Sequence, residues 1–178
     1  MKVLVVVDMQ KDFIDGALGS PEAQAIVPNV IAKIAEYKKN GVILFTRDTH
    51  FNDYMNTQEG KYLPVPHCIK NTEGWVIPKE ILPNEIEAEV VDKYTFGRRN
   101  IADDVWIACG RKYGRHDIES IEVVGLCTDI CVVSNVLILK SVYHEIPIIV
   151  DSKCCAGVTP AKHEAALEVM RSCQVEVL

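Results

Sequence analysis

No apolar run in the chain approaches the roughly 20 residues that a membrane-spanning helix requires, so no membrane partner is expected. Basic excess is lacking too. The 19 Lys and Arg are outnumbered by 25 Asp and Glu, for a net charge of -6. A surface of that sign repels nucleic acid and anionic lipid, and neither is expected as a partner. No Cys-x-x-Cys pair occurs among the seven cysteines, an odd number scattered along the chain. This usage fits free thiols in a reducing cytoplasm. The opening apolar run, 3–7, is too short for a signal peptide and is interrupted by Asp8. Internal repeats, low-complexity tracts and linkers are also missing. A glycine-rich phosphate loop is absent after the first apolar run, where Asp8-Met9-Gln10-Lys11-Asp12 stands, which discounts a dinucleotide-binding domain.

What is present suits one compact domain over 1–178. Apolar strings bounded by turn signals predict strands at 3–7, 42–46, 88–91, 121–124, 146–150 and 175–178. Helical patterns fall at 25–37, closed by Asn40-Gly41, and at 105–112, 129–143 and 160–172. The alternation predicts a three-layer α/β/α fold with a mostly parallel sheet and helices on both faces. Residues 51–83 are loop-rich and longer than ordinary connections, which suggests a functional excursion.

Ligands of an open parallel sheet bind beyond the carboxyl ends of its strands. Asp8 follows the first predicted strand, Asp48 and His50 the second, and Asp92-Lys93 the third. Gly125-Leu126-Cys127-Thr128-Asp129-Ile130-Cys131 follows the fourth. One edge thus receives an acid, a candidate metal pair, an amine and a thiol. With Thr128 or Asp129 as cap, Cys131 enters the first turn of a helix, where the dipole favours thiolate and N–H groups can hold an oxyanion. Cys127 precedes that helix and is the better candidate for backbone contacts than for sulfur chemistry. Asp8 and Lys93 supply the base and cation that a thiol nucleophile needs. Alone, Asp8 would pass for a cap or an ion-pair partner and Lys93 for an ordinary surface lysine. Asp48 and His50, two apart on extended chain, point to one side and can share an ion with His67. Such donors suit zinc, iron or manganese. A lone Asp-x-His is more often a turn, so this part stays open. Arg98-Arg99 reads as a solvated turn. His116, His144 and His163 have no partners at suggestive spacings, and Cys154-Cys155 is placed just past a strand with no role.

Val7-Asp8-Met9-Gln10-Lys11-Asp12-Phe13 and Cys127-Thr128-Asp129-Ile130-Cys131-Val132, with Lys93 between them, resemble the motifs of the isochorismatase-like cysteine hydrolases. Thr46-Arg47-Asp48-Thr49-His50 with Pro66-His67-Cys68-Ile69-Lys70-Asn71-Thr72-Glu73-Gly74 resembles the nicotinamidase branch. The resemblance implies an isochorismatase-like α/β fold and an Asp8–Lys93–Cys131 triad cleaving a small amide through a thioester. It implies a divalent metal, usually zinc, on Asp48, His50 and His67. It also implies a cis peptide at Leu126-Cys127, a ring held between Phe13 and Phe96 beside Cys127, and a homo-oligomer. Two positions depart from that pattern. Pro64 stands where Trp is common, and Asn135 stands where Thr commonly follows the nucleophile by four. Pro64 supports the alternative of a relative acting on another small amide, an N-carbamoyl or a ureido compound. A non-catalytic binding protein is the remaining alternative, disfavoured by the complete triad.

Overall fold

The computed structural model describes residues 1–113 and 118–178, with side chains for all of these except 111–113. Among them, six strands form one sheet in the order β3-β2-β1-β4-β5-β6. The strands are β1 (Lys2–Val7), β2 (Val42–Asp48), β3 (Glu89–Lys93), β4 (Ser120–Leu126), β5 (Ile148–Ala156) and β6 (Glu176–Val177), and every pairing is parallel. The reason is in the side chains. Val3 to Val7 are all fully buried, as expected of a central strand covered on both faces.

Four longer helices cover the sheet: α2 (Pro21–Tyr37), α4 (Ile101–Tyr113), α5 (Val133–Val142) and α6 (Pro160–Ser172). Two short ones, α1 (Lys11–Ile14) and α3 (Gln58–Tyr62), lie in the connections after β1 and β2. The chain steps from β1 to β2 in one direction and from β3 to β4 in the other. Right-handed crossovers therefore put α2 on one face and α4 on the opposite face. Helix α5 packs against both α4 and α6 on that second face. Ser20 caps α2, its hydroxyl accepting from Ala23 N–H at 3.0 Å, four residues or more before the expected start. The helix ends at Tyr37, just before Asn40-Gly41 as expected, with Gly41 N–H bonded to the Tyr37 carbonyl at 2.8 Å.

β2, β3 and β5 reach further than periodicity indicates, because the polar residues toward their carboxyl ends still pair, while β6 is shorter than expected. β2 runs through Asp48 and β3 through Lys93, and these two are register partners. β5 runs through Cys154 and Cys155, which are buried inside the strand and not beyond it. The Cys127–Cys131 segment also differs from expectation. Residues Thr128–Val132 form a π turn that leads into α5, with Cys127 at the cap position and no side-chain cap. Thr128 and Asp129 are engaged elsewhere: Thr128 Oγ1 lies 2.8 Å from His163 Nδ1, and Asp129 Oδ1 accepts from Val158 N–H at 2.9 Å. His163 therefore has a partner that spacing did not reveal. His144 is exposed beside Glu145, and His116 lies outside the described residues. No described helix is long and apolar enough to cross a membrane.

Candidate active site

Sheet order reverses between β1 and β4, the position at which open α/β sheets form a crevice. Here β1 ends in Asp8, whose backbone φ of 46° lies in the left-handed region. β4 approaches it closely through Gly125. A Cβ there would lie 2.1 Å from the Val7 carbonyl oxygen, and φ is +121°, so only glycine fits. The Leu126–Cys127 peptide that follows is cis. A cavity of about 810 Å³ opens over this point, lined by Phe13, Asp48, His67, Phe96, Cys127 and Cys131 among others.

Lys93 is the pivot. Its ammonium lies 2.7 Å from Asp8 Oδ2, 2.8 Å from Asp48 Oδ1 and 3.4 Å from Cys131 Sγ, and it donates to the Thr95 carbonyl at 3.2 Å. Asp8, Asp48, Lys93 and Cys131 are all buried. Burial acts to discharge Lys93, but the facing Asp8, Cys131 and Asp48 outweigh it and hold the lysine well above its usual range. The two carboxylates diverge. Burial drives Asp8 upward against the lowering effect of Lys93. Burial also raises Asp48, but the His50 ring and Lys93 prevail and hold it at about 2. Two acids with opposite shifts suit different roles, a proton carrier and a permanent anion. Cys131 is pushed well up by burial, opposed by Lys93 and reinforced by Asp8. Thr46 Oγ1 donates to Asp8 Oδ1 at 2.7 Å and fixes the carboxylate.

Asp48, His50 and His67 offer donor atoms that all lie within 4.8 Å of one another. His50 Nε2 is 3.0 Å from Asp48 Oδ2, yet this buried nitrogen has no aligned hydrogen bond. His67 Nδ1 lies 2.8 Å from the Val65 carbonyl. A carbonyl only accepts, so Nδ1 carries a proton and Nε2 is the nitrogen turned toward Asp48, 3.7 Å from its Oδ2. Metal-binding imidazoles are commonly oriented in this way. Buried, mixed N and O donors with one orphaned nitrogen fit a divalent cation of the zinc, iron or manganese type. Glu59 Oε1 lies 3.6 Å from His50 Nε2 and 3.7 Å from His67 Nε2, adding a second carboxylate beside the donor set.

Several supporting residues escaped the sequence reading. Gln10, fully buried, donates to the Asp48 carbonyl at 2.8 Å and accepts from Asp48 N–H at 2.7 Å, clamping that backbone. Asp12 Oδ2 accepts from Cys68 N–H at 2.7 Å and holds the turn that follows His67. Both sit in the motif after β1, whose spacing assigned roles only to Asp8 and Phe13. Phe13 lies buried with its ring centre 5.5 Å from that of His67, while Phe96 is half exposed across the same cavity. Arg98 is not a free surface charge: its guanidinium pairs with Asp104 and donates to the Asp92 carbonyl at 2.9 Å.

Among known proteins, a nicotinamidase/pyrazinamidase of Mycobacterium tuberculosis is 26% identical over 201 residues, covering 100% of this chain and 98% of that protein. The crystal structure of a Pyrococcus horikoshii pyrazinamidase in complex with zinc superposes with a TM-score of 0.75 at 27% identity, covering 99% of this chain and 98% of the other. An N-carbamoylsarcosine amidase from Thermoplasma acidophilum gives a TM-score of 0.75 at 25% identity, covering 99% and 94%. The family model of the isochorismatase domain matches residues 2–178, and the chain belongs to the isochorismatase family of hydrolases.

Proposed function

We propose that the chain hydrolyses a small aromatic carboxamide, with nicotinamide as the leading case, to the carboxylate and ammonia through a thioester on Cys131. The observation that carries this reading is the Lys93 ammonium, which touches Asp8, Asp48 and Cys131 behind a cavity lined by Cys131, Asp48 and His67, beside an Asp/His/His donor set. The relatives named above act on amides of this size by their names, and they extend over nearly the whole chain.

Asp8 takes the Cys131 thiol proton, and its upward shift makes it a competent acceptor. Lys93 stabilises the thiolate at 3.4 Å. The thiolate attacks the carboxamide carbon, and the backbone N–H groups of Cys131 and Cys127 receive the oxyanion. Asp8 returns its proton to the departing ammonia, and water then cleaves the thioester and restores the thiol. Phe13 and Phe96 flank the ring from two sides of the cavity. Asp48, His50 and His67 would hold the divalent ion, zinc first and iron or manganese otherwise. When bound it supplies a Lewis acid toward a ring nitrogen and so orients the carboxamide.

Ammonia release from nicotinamide, with and without a strong chelator, tests the reading. Release that falls on chelation and vanishes in Cys131→Ala is the expected result. Pro64 is not among the residues lining the cavity, and Tyr62 and Leu63 are, so this wall differs from the one the resemblance implied. Release from an N-carbamoyl amine but not from nicotinamide would keep the thioester chemistry and replace the substrate. No ammonia from any small amide would overturn the proposal.

A further inference from the structure

Asn135, on the first turns of α5, is fully buried and makes three hydrogen bonds, all to backbone. Its Nδ2 donates to the carbonyls of Cys131 at 2.8 Å and Phe96 at 3.3 Å, and its Oδ1 accepts from Arg98 N–H at 2.8 Å. The backbone partners fix the orientation of the amide, since a carbonyl accepts and an N–H donates. One side chain thus joins the turn that bears the thiol to the 94–98 loop that bears Phe96. The loop is seated for this. Gly97 lies so close to α5 that a Cβ would stand 2.7 Å from Ile138 Cδ1 and 3.2 Å from Ser134 Cβ. Thr95 Oγ1 donates to the Gly97 carbonyl at 2.7 Å, and the Thr95 carbonyl accepts from Lys93. A threonine at 135 has a single O–H donor on a shorter stem and cannot serve two carbonyls and an N–H together.

We propose that Asn135 is a positioning residue that locks the Phe96 wall of the cavity to the Cys131 turn, so that ring binding and thiol attack occur on one rigid unit. The proposal rests on the reading of Cys131 as nucleophile and Phe96 as a ring-binding wall. A small alkylating agent needs only the thiol, whereas an aromatic one also needs the wall in register.

The test therefore compares alkylation of Cys131 by iodoacetamide and by its N-benzyl derivative, followed by peptide mass spectrometry. It uses the full chain, Asn135→Thr, Phe96→Ala and the double variant. The unaltered chain is expected to prefer the benzyl reagent by about tenfold, the scale of one aromatic contact. Asn135→Thr and Phe96→Ala should each lose that preference, and the double variant should lose no more than Phe96→Ala alone, since the two act as one unit. No benzyl preference in the unaltered chain, an intact preference in Asn135→Thr, or losses that simply add would overturn the proposal. A merely structural asparagine predicts a lower melting temperature with both reagents slowed equally, which would also overturn it. If Asn135→Thr does not fold, Asn135→Ser takes its place in the same scheme. Labelling needs no turnover. Failure to hydrolyse nicotinamide alongside the expected labelling pattern would reject the substrate and leave Asn135 in its role.

Discussion

Two lysines each face two carboxylates at the sheet, Lys93 fully buried and Lys33 half-buried on a helix against it. Lys33 of α2 lies 2.8 Å from Glu122 Oε1 on β4 and 3.0 Å from Asp151 Oδ2 on β5, while Tyr37 donates to Glu122 Oε2 at 2.6 Å. Lys93 lies at similar distances from Asp8 and Asp48. The charge composition is the same and the surroundings are not. Around Lys33 the third partner, Tyr37, adds a phenol to a group of opposite charges in the middle of the strands. Around Lys93 the third partner is a thiol, the strands have ended, and a cavity begins. A buried ion cluster is thus no signature of catalysis in itself. The presence of a thiol and an opening sets the second cluster apart.

Variants that sharpen this contrast range widely in expected effect. Cys131→Ala should lower ammonia release by about 10⁴-fold or more while leaving the circular dichroism spectrum and melting transition close to those of the unaltered chain. Appreciable residual turnover would break the thioester mechanism. Lys93→Met should cost about 10³-fold in kcat/KM and also destabilise the fold, because Asp8 and Asp48 lose their common cation. Lys33→Met leaves Glu122 to Tyr37 and Asp151 only half-buried, so it should cost less, about 1 to 2 kcal/mol in urea unfolding, with kcat/KM unchanged. A large loss of activity in that variant would erase the distinction between the clusters. His67→Ala should weaken metal retention by at least about tenfold, read by elemental analysis after dialysis.

The smallest effect is a pH dependence. Burial and the Glu122 carboxylate raise the Tyr37 phenol above its usual value of 10.0. Burial acts to lower Lys33, but its two carboxylates prevail and raise it above 10.5. A group whose value is raised by folding contributes stability that is complete below its unfolded value and declines as pH climbs toward the folded one. Urea unfolding should therefore show a stability gap between the unaltered chain and Tyr37→Phe that is constant from pH 8 to 9.5 and narrows above about pH 10. A gap that stays constant to pH 11 would sink this assignment.

The sequence made the sheet edge legible because apolar strings stop where their polar residues begin. Asp8, Asp48, Lys93 and the Cys127–Cys131 segment could be placed on one edge without coordinates. Capping by Thr128 or Asp129 was not a sound expectation, because α6 and the segment after β5 offer those side chains better partners in His163 and Val158 N–H. Gln10 and Asp12 were invisible for a related reason, and Asn135 showed only as a departure from the resembled motif. Their partners are backbone groups 37 to 56 residues away, or bonds whose meaning depends on a distant loop, and local spacing holds no trace of them. Cys154 and Cys155 were placed outside their strand because two cysteines give little strand signal, yet parallel pairing with β4 continues to Leu126 and Ala156.

The pairing of Asp48 with Lys93 across β2 and β3 gives the chain a phase as well as a shape. Side chains on a strand alternate faces, so losing one residue anywhere between Val42 and Asp48 would turn Asp48 away from the lysine while leaving the strand's composition almost intact. Connections away from the site tolerate changes of length, but β2 and β3 can change only by substitution or by compensating shifts of both. The chemistry of this fold is therefore written in parity, and a lineage that alters these strands must keep count in twos.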